Sequence, residues 1–138
     1  MTSDLIDAAV REVHELHAFF EAWLSGQGPA GASDFERLPS VLAPEFQIIS
    51  PAGETMTRDT LIEGLRGAHG ARGDQFRLWV DQVEGRLVHQ DCVLVTYQEW
   101  QSTEALERGR VSSALFTQRA AKLLWQHVHE TWLPEGSF

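Results

Sequence analysis

The hydrophobic period of the chain changes once, near Phe76, and this change limits the folds that the sequence can adopt. Before it, residues 4–25 repeat their apolar side chains every three or four positions, which is the period of an amphipathic helix. After it, apolar and polar side chains alternate, as in Phe76, Leu78 and Val80, which is the period of a strand with one buried face. Helices followed by consecutive strands are typical of an α+β domain, with the helices packed on one face of the sheet.

Capping and turn residues divide the chain further. A serine and a glutamate have capping-box spacing at 33–36, ahead of a short second helix, and residues 46–51 are predicted to form a strand. Thr57 is the expected N-cap of a third helix that Gly67 ends. Four consecutive strands able to pair as an antiparallel meander are then predicted from about residues 76, 93, 110 and 123. No repeat or linker interrupts this order, so residues 1–138 are predicted to form a single domain.

The composition narrows the functional classes. The 138 residues include 20 acidic and 11 basic side chains, and the net charge of −9 repels nucleic-acid phosphates and anionic membrane surfaces. Apolar runs are shorter than the roughly 18 residues that a membrane span requires. The single Cys92 cannot form an internal disulfide, and the N-terminus is acidic where a secretory signal is basic. A cytoplasmic protein with neither nucleic acid nor membrane as partner is therefore expected.

Two segments carry a resemblance to a known superfamily. These are residues 91–97 (DCVLVTY) and the ending 125–134 (WQHVHETWLP), taken with the order of helices and strands. The chain resembles the nuclear transport factor 2-like (cystatin-like) superfamily, and is most similar to its small stand-alone members, the polyketide-cyclase-like proteins and the association domain of calcium/calmodulin-dependent kinases. The resemblance implies a strongly curved, cone-shaped mixed or antiparallel sheet with three helices. It also implies a pocket inside the cone, closed by the long first helix, and dimers formed through the outer face of the sheet.

The chain departs from the functional patterns of these relatives. Ketosteroid isomerase-like members use an aspartate before a proline as their general base, whereas Ser50 precedes Pro51 here, and a serine hydroxyl alone is no such base. The kinase association domains line their pocket with arginines, and two of the matching positions hold Glu99 and Trp132. The resemblance therefore does not imply ketosteroid isomerase chemistry for this chain. It also does not imply the anionic ligand that an arginine-lined pocket would bind.

Two glutamates are the strongest candidates for a site. The register implied by the resemblance turns Glu99 and Glu130 toward the inside of the cone, where burial and mutual repulsion raise carboxyl pKa values. Both glutamates and Tyr97 are therefore candidate catalytic residues. Two alternatives stay open: either glutamate pairs with an arginine such as Arg110 or Arg119, or it lies at the solvated mouth. The predicted pocket lining is Phe20, Trp23, Ile48, Tyr97, Glu99, Glu130 and Trp132.

The histidines are assigned contact roles rather than metal binding. His127 and His129 lie two apart on the last strand and so share a face, which the resemblance places outside the cone with Trp125 and Thr131. Aromatic side chains mixed with histidines suit a subunit contact, so these four residues are the predicted dimer interface. His17 borders the apolar stripe of the first helix and is predicted to form a hydrogen bond at the pocket edge. No metal and no cofactor are predicted.

Three functional hypotheses follow from these observations. The leading one is a homodimeric domain that binds a small apolar or aromatic molecule of unknown identity in the cone. The second is an isomerase, dehydratase or cyclase that acts on such a molecule by acid–base catalysis. The third is a dimeric interaction module without a ligand.

Overall fold

The computed structural model describes residues 2–104 and 106–134, within which six strands form one open sheet. The helices are α1 (Thr2–Ser25), α2 (Ala32–Phe35) and α3 (Arg58–Arg66), with a 3₁₀ turn at Pro39–Val41. The strands are β1 (Leu42–Ile49), β2 (Thr55–Thr57), β3 (Arg77–His89), β4 (Cys92–Ser102), β5 (Glu107–Arg119) and β6 (Lys122–Trp132). The single domain predicted for residues 1–138 thus includes positions 1, 105 and 135–138, which lie outside the described residues.

The sheet is mixed, in the order β2-β1-β6-β5-β4-β3. β1 runs parallel to β6, while every other pair of neighbours is antiparallel, and the last four strands form the predicted meander. The α+β class is therefore confirmed.

Helix α1 lies across the sheet and forms the roof of the interior. Its apolar stripe, which includes Val13 and Leu16, is buried, as the period of the sequence predicts. The helix packs tightly on β3 at Gly85, where a β-carbon would lie 3.0 Å from the Cγ2 atom of Ile6. At its far end, the indole N–H of Trp23 donates to the carbonyl oxygen of Leu65 at 2.7 Å. These contacts fix the roof to the sheet at one end and to α3 at the other.

The boundaries in the first half differ in part from the predicted ones. The expected capping box at 33–36 is wrong, because α2 begins at Ala32 and the Asp34 carboxylate instead accepts from the backbone N–H of Gly31 at 3.0 Å. The third helix does begin after Thr57, whose hydroxyl accepts from the N–H of Thr60 at 3.3 Å. Its capping prediction is therefore confirmed.

Strand β1 is longer than predicted, and β2 is additional. β1 begins at Leu42 and tolerates Pro44, because its pairing with β6 shifts register between Leu42 and Gln47, where an interrupted ladder needs no proline N–H. β2 pairs with β1 through a turn that contains Gly53, whose φ of 85° favours glycine. The three residues of β2 are all exposed, so they lack the alternation of apolar and polar side chains that identifies a strand in a sequence.

No helix within the described ranges combines the length and the hydropathy that a bilayer crossing requires.

We expect Gly109→Ala to destabilise the fold. A β-carbon at Gly109 would lie 2.6 Å from the Cζ3 atom of Trp100, its partner across β4 and β5, and 2.9 Å from the Cδ1 atom of Leu133. Overpacking of this kind costs about 1–3 kcal/mol. Gly64→Ala in α3 is the matched control, since no atom lies within 4 Å of its β-carbon and alanine favours a helix by roughly 0.5–1 kcal/mol. Urea unfolding of both variants checks this pair, and a Gly109→Ala variant as stable as Gly64→Ala would contradict it.

Candidate functional site

A cavity of about 380 Å³ lies between α1, α3 and the inner face of the sheet. This volume falls within the range of roughly 300–1,000 Å³ that is usual for small-molecule sites. Most of the wall is apolar, with side chains from α1, α3, β1 and β6. Glu54, Met56 and Arg72 line the exposed mouth. Five further polar residues on the wall form what we call the polar cluster: His17, Glu99, Gln101, Arg110 and Glu130.

His17 connects the roof to the sheet. Its Nδ1 lies 2.7 Å from the carbonyl oxygen of Val13, which can only accept, so Nδ1 carries a hydrogen. Its Nε2 lies 2.9 Å from Oε1 of Glu99. One more proton joins these two atoms, either on an imidazolium that faces a carboxylate or on a carboxyl group that faces a neutral imidazole. The His17–Glu99 pair therefore has a net charge of zero in both arrangements.

Arg110 connects the two glutamates. Its Nη1 donates to Oε1 of Glu130 at 2.9 Å, and its Nε lies 3.7 Å from Oε2 of Glu99. The same Glu99 oxygen accepts from Nε2 of Gln101 at 2.8 Å. The alternative in which the glutamates pair with an arginine is thus correct for Arg110, whereas Arg119 pairs with the exposed Glu45 instead.

The register of the strands explains why these side chains meet. Glu99 is directly opposite Arg110 across β4 and β5, and Ser112 is opposite both Tyr97 and Glu130. Because side chains in register share a face, Glu99, Arg110 and Glu130 all face the interior. Gln101 lies two residues after Glu99 and joins them there. The period-two pattern of β4 indicates its direction, although Gln101 is not among the site residues predicted from the sequence.

Burial and charge shift the pKa values of the acidic groups in different directions. Burial alone would raise the pKa of Glu99, but the hydrogen bond and charge of His17, followed by the charge of Arg110, lower it to about 2. Burial, and then the charge of Glu99, raise the pKa of Glu130 despite its bond to Arg110. Burial, followed by the two carboxylates, raises the pKa of Tyr97. The cluster therefore combines one ionised carboxylate with one that retains its proton more readily.

Five of the seven residues predicted to line a pocket lie on the cavity wall: Phe20, Ile48, Tyr97, Glu99 and Glu130. Trp23 instead packs against Phe35, with ring centroids 4.9 Å apart. Trp132 lies beside the polar cluster, with the Cζ atoms of Arg108 and Arg110 at 3.4 Å and 4.7 Å from its ring centroid. Ligand binding by these residues stays a prediction.

The prediction that Trp125 lies on the outer face of the sheet is wrong. This side chain is only 2% exposed, lines the cavity and donates from Nε1 to the Glu12 carboxylate at 2.9 Å. The cause is a register shift between β5 and β6, in which Leu115 pairs with His127 but Phe116 pairs with Trp125, so one extra residue reverses the alternation.

His127, His129 and Thr131 lie opposite outward-facing residues of β5, as predicted. Their role in a dimer stays a prediction. Among the described residues, no three His, Cys, Asp or Glu side chains are grouped to hold a metal ion.

Comparison with known proteins shows that the sequence of this chain is similar to part of the sucrose-phosphatases. Residues 9–134 match the sequence model of the family described as "Sucrose-6-phosphate phosphohydrolase C-terminal". Sucrose-phosphatase 1 of Nicotiana tabacum is 32% identical over 127 residues, which cover 88% of this chain and 30% of that protein. Sucrose-phosphatase 2 of the same plant is 31% identical with the same coverage. The chain thus spans less than a third of the length of these relatives.

Solved structures support the fold. An NTF-2 like protein of unknown function from Pseudomonas aeruginosa superposes with a TM-score of 0.80 at 26% identity, covering 90% of this chain and 97% of that one. The association domain of C. elegans CaMKII superposes with a TM-score of 0.67 at 13% identity, covering 93% and 98%. The resemblance to the nuclear transport factor 2-like superfamily is therefore confirmed.

The family match corrects the functional hypotheses. Three functions were expected: a domain that binds an unknown apolar ligand, an enzyme of the isomerase, dehydratase or cyclase kind, and an interaction module without a ligand. They are wrong, because the family and the curated relatives point to sucrose-phosphatase. The sequence patterns could not reveal this family, because the two segments that carry the superfamily resemblance, residues 91–97 and 125–134, contain no catalytic signature.

We expect Glu99→Gln to lower the free energy of unfolding at neutral pH by about 3–5 kcal/mol, because it breaks a buried ion-pair network and leaves His17 and Arg110 less compensated. The folded pKa of about 2 lies below the ordinary value of 4.5. The contribution of Glu99 is therefore complete above the ordinary value and is lost as the pH falls toward about 2.

Denaturant unfolding of the wild type and Glu99→Gln across that pH window measures the effect. The difference between the two proteins should shrink as the pH falls. Glu45→Gln, which removes an exposed partner of Arg119, is the control and should change stability little. A difference between the wild type and Glu99→Gln that is independent of pH would contradict the ionised state of Glu99.

Proposed function

The chain belongs to the family of sucrose-6-phosphate phosphohydrolase C-terminal domains, and on that premise we propose that it serves the hydrolysis of sucrose 6-phosphate by binding the sugar. The cavity is the proposed binding site. The polar cluster on its wall is the observation that carries this proposal.

The polar cluster suits the hydroxyl groups of a sugar. Carboxylate oxygens accept hydrogen bonds from hydroxyls, while the guanidinium of Arg110 and the amide of Gln101 can donate to them. The rings of Phe20, Tyr97 and Trp125 supply apolar surface for the C–H faces of a sugar ring. A few directed polar groups on an apolar wall are the usual composition of a small-molecule site.

We assign the phosphoryl-transfer step to the part of the relatives that this chain does not match. Phosphoryl transfer depends on cationic groups that surround the transferred phosphate. In the polar cluster, by contrast, Glu99 and Glu130 face the single guanidinium of Arg110. The proposed role of the chain is therefore to bind the sugar, and the chemistry itself is assigned to other residues.

We also propose that the chain works as a homodimer in the cytoplasm. The outer sheet face with His127, His129 and Thr131 would form the contact. The solved neighbour that is named an association domain supports assembly through this fold. The single Cys92, which is free, suits a reducing compartment.

Isothermal titration calorimetry with sucrose tests the proposed function. The wild type should bind sucrose, and Gln101→Leu should weaken binding by about tenfold, as expected for one or two lost hydrogen bonds of about 1 kcal/mol each. Gln98→Leu is the matched control, because Gln98 is on the same strand but on the opposite face and hydrogen-bonds Gln82. A folded wild type that gives no binding heat with millimolar sucrose would overturn the proposal.

A further inference from the structure

The charges that face the cavity cancel. Besides Tyr97, whose raised pKa keeps its hydroxyl neutral, the charged and titratable side chains on its wall are His17, Glu54, Arg72, Glu99, Arg110 and Glu130. The His17–Glu99 pair shares one proton and is neutral in either arrangement, as its two hydrogen bonds require. Ionised Glu130 and Arg110 neutralise each other through a bond of 2.9 Å. Glu54 and Arg72, at the mouth, have opposite signs.

We propose that the cavity selects the unphosphorylated sugar, which is the product of the hydrolysis, and discriminates against the phosphorylated substrate. The inference rests on the proposed function and adds to it which form of the sugar the site takes. It follows from the balance of charge and from the apolar walls.

A phosphate group at the polar cluster would meet no cation that lacks a carboxylate partner. Arg72, the other cation on the described wall, lies at the exposed mouth, with its Cζ atom 5.3 Å from the ring centroid of Phe76. A phosphate monoester carries about −1.5 to −2 charges at neutral pH. Arg110, the cation of the polar cluster, is already bonded to Glu130 and lies near Glu99, so a phosphate there would compete with one carboxylate and be repelled by both. A neutral sugar hydroxyl meets no such repulsion, because it can donate to the same carboxylate oxygens.

The walls increase the discrimination. Glu99 and Glu130 are only 6% and 7% exposed, so the cluster borders an interior of low dielectric. Burying an uncompensated charge beside apolar side chains such as Leu16 and Val128 costs far more than burying a hydroxyl that finds a partner. Arg108, which stacks on Trp132 beside the cluster, does not line the cavity and leaves this balance unchanged.

Paired titrations of sucrose and sucrose 6-phosphate test the inference. The wild type should bind sucrose at least about tenfold more tightly, a difference of about 1.4 kcal/mol. Glu130→Gln preserves the shape of the side chain but releases Arg110, so it should improve binding of sucrose 6-phosphate relative to sucrose by about tenfold. Glu54→Gln, at the exposed mouth, should shift the ratio in the same direction and is a second test if the buried variant folds poorly. Glu15→Gln, on the exposed face of α1, removes one charge away from the cavity and should leave the ratio unchanged.

The outcomes separate this inference from the proposed function. A wild type that binds both sugars equally, or prefers the phosphorylated one, overturns the inference while the proposed function stands. Binding of neither sugar overturns both. A wild-type preference for sucrose that neither Glu130→Gln nor Glu54→Gln alters would show that charge is not its cause, and would overturn the inference as well.

Discussion

The hydrogen bond between His17 and Glu99 holds the interior of this protein together. It joins the helix that covers the sheet to the strand at the centre of the polar cluster, at 2.9 Å and away from bulk water. Because Nδ1 of His17 donates to Val13 of its own helix, the other ring nitrogen is fixed in direction. Glu99 is thereby held in place for Arg110, and Arg110 for Glu130. The polar cluster thus depends on how α1 sits on the sheet.

A cavity lined by such a cluster is compatible with a stable fold because its charges are paired. An unpaired carboxylate in this position would cost several kcal/mol or would bind a proton. The same pairing determines what the cavity can accept: groups that exchange hydrogen bonds are compatible with it, whereas an additional full charge is not. In a family named for sucrose-6-phosphate phosphohydrolase, this property supports the proposal that the cavity binds a sugar.

Local patterns determined which features were predictable from the sequence. The 3.6-residue period of α1, the Thr57 cap and the alternation along β4 each depend on neighbouring residues, and the structure confirms them. The inward direction of Trp125 was not predictable in this way. One extra residue in β6 turns this side chain to the inner face of the sheet, and the composition of the strand does not reveal it. The pairing of a glutamate with Arg110 was an open alternative, and the register of β5 and β6 decides it, because the bond from Arg110 to Glu130 spans 20 positions.

Carboxyl carbon chemical shifts of Glu99 and Glu130, followed by NMR as sucrose is added, test most directly whether the polar cluster is the sugar site. We predict that both carboxyl signals move in step with the saturation of binding, while the signals of the exposed Glu15 and Glu45 stay where they are. Sucrose that moves surface signals but leaves Glu99 and Glu130 unchanged would contradict the assignment of the cluster as the place where this domain holds the sugar.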